Sequence, residues 1–360
     1  MHDLETIAPP LPKGEFSLII DVRTPLEFTE DHLPNAINLP VLSNEQRAQV
    51  GTLYKNKPFD GRALGAQLIS ENIAAHLEQL RQEWPRDQTP LLYCWRGGLR
   101  SRSFAFILRS IGWRARILEG GYKAYRRFII NDLQTRLSQT PLDFHVLAGL
   151  TGTGKTRLLQ TLAQQGAQIL DLEGLANHRG SLLGTLGPQP SQKHFENLLH
   201  QAISSFDPAQ PIFTEAESNR IGELNIPAPL WRKLNSATVS LVELPLPSRA
   251  QLLLGDYPQF LDNPEQLSNL LNELRRLRGN NQVDQWQSQI KQRNWPAFLT
   301  SILQNHYDLA YRIPGSEDCN YQPPSQTLSL PDHTPKSFTS IAQHLLSKPV
   351  GKHNSSIIHD

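Results

Sequence analysis

The chain has 360 residues, with 35 Lys and Arg against 34 Asp and Glu, a formal net charge of +1, and 38% hydrophobic and 19% charged content, which suits two globular domains of ordinary size and a tail. Its only two cysteines, Cys94 and Cys319, lie in different segments, which argues against a disulfide framework or a four-ligand zinc site and for a reducing cytoplasm. There is no basic leader with an apolar core and no apolar run of bilayer-spanning length, so neither export nor membrane embedding is expected.

After an N-terminal arm, residues 1–15, a first domain is read over 16–139. Apolar runs at 18–22, 36–39, 91–93 and 116–118 predict strands, and helical segments such as 64–84 alternate with them, the pattern of a parallel sheet covered on both faces. A helix over 124–139 leads to Thr140-Pro141, a natural boundary. The second domain, 140–312, shows its own alternation: a strand at His145, a helix from Lys155, a strand at 168–172, a helix at 192–206, and strands at 211–215 and 238–244. From 247 to 310 the pattern turns mainly helical, with leucines such as Leu253, Leu267 and Leu274 supplying apolar faces. A Pro- and Ser-rich tail, 313–360, is rich in Pro, Ser and Gln over 313–336, is expected to hold one short helix over 337–346, and is expected to be disordered over 351–360.

Two motifs carry chemistry. In the first domain, Cys94 is followed by Trp95, Arg96, Gly97, Gly98, Leu99 and Arg100, between a short buried strand and a helix whose apolar spacing starts at Phe104. Amides of such a strand-to-helix loop converge at a helix N-terminus, and the arginines add charge, surroundings that stabilise a thiolate or persulfide. In the second domain, Gly149, Leu150, Thr151, Gly152, Thr153, Gly154, Lys155 and Thr156 fit G-x-x-x-x-G-K-[ST] after an apolar strand. The glycines let successive amides face one anion, Lys155 brings a point charge, and Thr156 offers a hydroxyl to Mg²⁺. Asp171 and Glu215, at predicted strand ends facing this loop, are candidate metal holders, directly or through water, and equally candidate helix caps.

Between Cys94 and Arg127 nine basic residues face the single acid Glu119, an excess of eight charges beside the thiol. Arg114, Arg126 and Arg127 lie outside the cysteine loop and are the candidate RNA-contacting residues, in a mode that would make binding salt-dependent. The alternative reading makes most of these arginines a solvated helix face.

The stretches Ile19-Ile-Asp21-Val-Arg23 and His32-Leu-Pro34-Asn-Ala36, the cysteine loop, and Leu118-Glu119-Gly120-Gly121-Tyr122 resemble the signatures of a rhodanese domain, in which the cysteine carries a chalcogen atom. Joined to a phosphate-binding loop, and with Val50-Gly51-Thr-Leu-Tyr54-Lys55, Ala176-Asn-His178-Arg179-Gly180-Ser181 and Glu215-Ala-Glu217-Ser218-Asn219-Arg220-Ile221-Gly222, the chain over roughly 15–310 resembles the tRNA 2-selenouridine synthase family. Asn219 departs from that pattern, where an arginine is expected beside Arg220, and Leu99 stands where methionine is common.

The resemblance implies an α/β fold: an N-terminal rhodanese-like parallel-sheet domain, then a P-loop NTPase-like α/β domain with a mainly helical C-terminal extension. It implies an enzyme that acts on wobble 2-thiouridine of tRNA, first moving a geranyl group from geranyl diphosphate to the sulfur and then replacing that sulfur with selenium from selenophosphate. Cys94 would receive or deliver selenium, and the P-loop would hold the diphosphate without need of ATP hydrolysis. His178, Arg179, Ser181, Glu217, Ser218 and Arg220 would form a substrate loop. No tightly bound cofactor is expected beyond Mg²⁺; tRNA and an enzyme supplying selenophosphate are the implied partners, with no DNA and no membrane. The rival reading is a rhodanese-type sulfurtransferase fused to a P-loop kinase or NTPase, with sulfur as cargo and no RNA; a second rival is a binding module without catalysis.

Overall fold

The computed structural model describes residues 4–85, 87–179, 187–256 and 263–347. The chain divides into two units: residues 1–134 with Pro190–His200, and residues 135–189 with 201–360.

The first unit is built on strands β1 (Thr6–Ile7), β2 (Leu18–Asp21), β3 (Ala36–Asn38), β4 (Pro90–Tyr93) and β5 (Arg116–Leu118), all parallel, in the order β1-β5-β4-β2-β3. Its helices are α1 (Pro25–Glu30), α2 (Asn44–Asn56), α3 (Pro58–Glu83), α4 (Leu99–Ile111) and α5 (Gly121–Gln139). The entry to α1 is a reciprocal cap, Thr24 accepting from the Glu27 amide and Glu27 from the Thr24 amide, while Pro25 fixes the first turn. The period-2 rule of a strand sorts β4: Leu92 joins the core cluster of Ile20, Phe104, Leu108 and Ile117, whereas Leu91 and Tyr93 join Leu118, Tyr122 and Ile129. Both faces of the sheet are therefore buried, as an all-parallel sheet requires. Thr6–Ile7, within the N-terminal arm, adds an edge strand, because Ile7 and Leu11 find apolar partners beside Leu118.

The second unit repeats the layout with β6 (Phe144–Ala148), β7 (Gln168–Leu170), β8 (Ile212–Glu215), β11 (Thr238–Glu243) and β12 (Gln326–Ser329), parallel throughout, in the order β12-β11-β6-β8-β7; β9 (Arg220–Ile221) and β10 (Leu224–Asn225) form a separate antiparallel pair. Helices α6 (Lys155–Gln164), α7 (Leu172–Ala176), α8 (Gln192–Ser205), α9 (Ala228–Asn235) and α10 (Leu246–Asp256) accompany the strands, and the first unit takes α8 up to His200. A helical cluster around Trp286, with Leu271, Val283, Phe298 and Ile302, follows α10.

Residues 313–336 contain β12, which covers the free edge of β11, and Leu328 and Leu330 are buried with Leu147 and Val242. The helix Pro335–Ser347 then lays Phe338, Ala342 and Leu345 against Leu158 and Leu162 of α6. An exposed central strand edge is a liability, and pairing it outweighs the low hydrophobicity of the segment. The expected disordered end, 351–360, lies outside the described residues. Among the described residues no helix is long and apolar enough to cross a membrane.

Candidate functional site

Each unit carries one site at the carboxyl end of its central strand, where parallel sheets of this kind present ligands. In the first unit Cys94 follows β4 and the loop closes on Gly98, immediately before α4. Cys94 is 3% exposed, yet it lies in a recess with Arg47, Trp95, Arg96, Gly98, Leu99 and Arg100. The Gly98 amide donates to Sγ at 3.2 Å and the Ser101 hydroxyl at 3.3 Å. Burial pushes the thiol up, but the Ser101 hydroxyl and amide, the Arg100 charge and the Arg96 amide together bring it below its ordinary value. Arg100 is held by Glu27 at 2.8 Å, so one of the two loop charges is half-neutralised while Arg96 stays exposed.

The loop rests on a buried polar frame. Arg23, 1% exposed, pairs with Asp21 at 2.6 Å, and its guanidinium lies 3.9 Å from the Tyr122 ring centroid. Tyr122 donates to Asp31 at 2.7 Å, and Asp31 also accepts from Asn197 at 3.0 Å and contacts His194 Nδ1 at 3.2 Å. The Tyr122 amide donates to the Cys94 carbonyl at 2.9 Å. Gly121, at φ +61°, brings its backbone so close to that carbonyl and to the Arg96 and Gly97 amides that a Cβ would collide with them.

In the second unit the phosphate-type loop joins β6 to α6 and lines a cavity of about 590 Å³. Gly149, Thr151, Gly152, Gly154, Lys155 and Thr156 face it, while Leu150 and Thr153 turn away, Thr153 donating to the Leu150 carbonyl at 2.9 Å. Gly154, at φ +82°, is covered by the Phe338 ring, which leaves no room for a side chain. Lys155 Nζ donates to the Gly149 carbonyl at 2.9 Å. Buried Arg249 donates to the Thr151 carbonyl at 2.9 Å and is itself fixed by Asp308 at 3.0 Å, which pins the loop from outside.

Opposite Lys155 stand three carboxylates. Glu173, Glu215 and Glu217 each place an oxygen within 4.8 Å of the others. Register explains Glu215: it ends β8 beside Leu147 of β6, two residues before Gly149 opens the loop. Glu215 is 2% exposed; it hydrogen-bonds Thr156, and its Oε1 has no partner. Burial and the neighbouring Glu173 charge push Glu215 up to about 8, against the pull of Lys155. Glu173 and Glu217 hydrogen-bond each other, which requires a shared proton; burial raises both, helped at Glu173 by the Glu217 charge and at Glu217 by the Glu215 charge. The Tyr321 hydroxyl donates to the Glu217 carbonyl at 2.7 Å and accepts from its amide at 3.0 Å, so the tail positions this residue.

This donor set fits a hard divalent cation: oxygen ligands, surplus negative charge and an orphaned buried carboxylate oxygen. Asp171 is not part of it. Its Oδ1 accepts from the Gly174 amide at 2.7 Å as the cap of α7, and Glu173, two residues on, reaches the cluster instead.

Residues 142–318 match the tRNA 2-selenouridine synthase AAA domain, and residues 8–128 match the rhodanese-like domain. The chain is 40% identical over 247 residues to the tRNA 2-selenouridine synthase of Marinobacter nauticus, covering 66% of this chain and 65% of that one. The corresponding figures for the Alcanivorax borkumensis protein of the same name are 39% over 244 residues, 66% and 66%. For that of Hydrogenovibrio crunogenus they are 36% over 250 residues, 66% and 67%. The chain belongs to the tRNA 2-selenouridine synthase family. It spans about 65% of the length of the first of these relatives.

The stretches that mark the tRNA 2-selenouridine synthase family separate into two kinds. Arg179 and Glu217 line the cavity, and His178, half-buried, sits beside Arg179 with its amide on the Glu173 carbonyl at 3.1 Å. Ser218 and Arg220 do not line it: Ser218 bonds the Arg220 carbonyl, and Arg220 turns to Glu223 and to the Gly222 carbonyl, each at 2.8 Å, to brace the β9–β10 turn. Ser181 lies outside the described residues.

The three candidate RNA-contacting arginines are also split. Arg126 is consumed by an ion pair with Glu196 and a bond to the Lys193 carbonyl. Arg114 precedes β5, with its amide on the Gln88 carbonyl ahead of β4, and so sits at the amino-terminal end of the strands, opposite to Cys94 at their carboxyl end. Arg127 alone of the three is exposed on the thiol side. Helix α8 supplied the unforeseen partner, Glu196, from 70 residues away.

Proposed function

We propose that the chain is a tRNA 2-selenouridine synthase that converts wobble 2-thiouridine to 2-selenouridine through an S-geranyl intermediate, with geranyl diphosphate and selenophosphate as co-substrates. What supports this reading most is the pairing, in one chain of this family, of a thiolate-stabilising loop with a phosphate cradle that faces carboxylates.

In the first half-reaction the C–O bond of geranyl diphosphate breaks, pyrophosphate leaves with the electron pair, and the uridine sulfur forms the new C–S bond while the base loses its N3 proton. The loop amides and Lys155 are placed to take up charge growing on pyrophosphate. Thr156, Glu215, Glu217 and Glu173 would hold Mg²⁺, which when bound supplies further neutralisation of that charge. Arg179, which lines the same cavity as the loop, is a further cation available to the diphosphate. No nucleotide hydrolysis enters the scheme.

Alkylation turns a poor leaving group into a thiol that departs readily: selenide-level selenium forms the new C–Se bond at C2 as the C–S bond breaks and geranyl thiol leaves, while the P–Se bond of selenophosphate is cleaved by water with release of phosphate. Cys94 serves this second half: its electropositive, amide-lined recess suits a chalcogen anion, and the exposed Arg96 suits the phosphate of the selenium donor. The test is reconstitution. Purified chain, 2-thiouridine tRNA, geranyl diphosphate and selenophosphate should yield 2-selenouridine by nucleoside mass analysis, and S-geranyl-2-thiouridine should accumulate when selenophosphate is left out. ATP supporting turnover in place of geranyl diphosphate would favour the sulfurtransferase–NTPase reading.

A further inference from the structure

Beside the thiol recess, and sharing Trp95 with it, the first unit has a second recess of about 270 Å³. Its floor is the Trp95 ring, tilted 33° against Tyr122 at 5.4 Å between centroids, together with Ile130, which is 47% exposed. Its rim carries Lys123 and Arg127, four residues apart on α5 and thus on one face of that helix. Both are exposed, and neither has a carboxylate partner among the described residues. The other cations at the rim, Arg126 and Lys193, are tied to Glu196 and Glu30. Among the described residues no acidic side chain lines the recess.

A half-buried indole, an exposed aliphatic side chain and two unpaired cations on one edge form a combination that serves a ligand both flat and apolar on its face and anionic along its border. Unpaired RNA bases have this chemistry: the face stacks on an aromatic ring while the flanking phosphates meet Lys and Arg. We propose that this recess receives an unstacked nucleobase from the loop of the tRNA that is being modified, with Trp95 as the stacking platform and Lys123 and Arg127 on its phosphates. The proposal rests on the tRNA reading above and gives Trp95 a specific role. The ring joins the base-holding recess to the thiol recess, so a nucleotide seated here keeps its neighbour beside Cys94.

The experiment uses the full chain and an anticodon stem-loop RNA with 2-aminopurine at successive loop positions. In wild type, binding should quench 2-aminopurine at one position. Trp95→Leu should abolish that quench and Trp95→Phe restore most of it, since any aromatic face stacks. The double variant Lys123→Glu/Arg127→Glu should weaken binding at least tenfold and flatten the dependence of log affinity on log salt, by a slope of about one to two. Ile130→Glu should weaken binding without changing the slope comparably. Arg114→Glu, at the amino-terminal end of the strands and away from the recess, should bind as wild type does. All of these residues except Trp95 are exposed, and unchanged thermal melts establish that the variants fold. Wild-type affinity and slope in the double variant, or an unaltered quench in Trp95→Leu, would overturn the recess as a base site while leaving the tRNA reading in place. Absence of stem-loop binding by wild type at every salt concentration would overturn both.

Discussion

Ser101 Oγ lies 3.3 Å from Cys94 Sγ with Ser101 fully buried, so the hydroxyl has the sulfur and the Gly98 carbonyl as its partners. A hydrogen bond to a charged acceptor is worth about 1.5–3 kcal/mol, so its loss should lower the thiolate-to-thiol ratio at a given pH by about tenfold or more. Because the folded thiol is held below its ordinary value, reactivity is present above that lowered value and falls off below it. Ser101→Ala should move the pH profile of iodoacetamide labelling at Cys94 to higher pH, with an unchanged rate at high pH where the thiol is fully ionised. An unchanged profile would assign the stabilisation to the loop amides alone.

The two half-reactions should separate by mutation. Cys94→Ser keeps the loop amides and should fold, geranylate 2-thiouridine tRNA and fail to install selenium. Lys155→Ala should lose about a hundredfold or more in geranyl transfer, since it removes a charge aimed at the leaving group, and pre-geranylated tRNA should bypass most of the defect. Normal conversion of S-geranyl tRNA by Cys94→Ser would remove Cys94 from selenium handling.

What was legible in the sequence was whatever is contiguous. The loops 94–100 and 149–156 each bring strand, turn and helix together within a few residues, so their chemistry can be read from spacing. Glu173 could not be read that way, because the turn after β7 and the register of β8 on β6 bring it to Glu215 from 42 positions away. Asp171 held the more obvious strand-end position but is used locally as a cap. Arg126 looked free until α8 delivered Glu196. The order of the tail was not legible for a related reason: its polar composition describes the residues, whereas its order comes from the open edge of β11 and from Tyr321 bracing Glu217.

The buried pair Asp21–Arg23 should be costly to break on one side only. Asp21→Asn leaves a guanidinium that is 1% exposed without its counter-charge, and loss of one partner of such a pair typically costs about 3–5 kcal/mol. Chemical denaturation should show that drop. Arg23 also underlies Tyr122, so the variant should lose Cys94 reactivity as well. A variant as stable as the parent would mean that the Tyr122 and Tyr93 rings suffice to hold Arg23.

The three carboxylates make stability and cation binding depend on pH in opposite directions. Glu215 is pushed up to about 8 and Glu173 likewise, whereas in the unfolded chain both titrate near the ordinary value of about 4.3. Between these limits the folded chain binds more protons than the unfolded one, so the cluster contributes stability below the unfolded value and loses it as pH rises toward 8. A divalent cation that binds the ionised cluster should reverse the loss. Mg²⁺ at millimolar concentration should therefore raise the unfolding temperature by several degrees at pH 8.5 and by little at pH 6. Glu215→Gln removes one charge of the cluster while keeping its shape. It should flatten the fall in stability between pH 5 and 8 in the absence of metal, and it should also abolish most of the Mg²⁺ effect at pH 8.5. Equal Mg²⁺ stabilisation of parent and variant at pH 8.5, measured by thermal melts over a Mg²⁺ titration, would show that the cluster does not hold the cation.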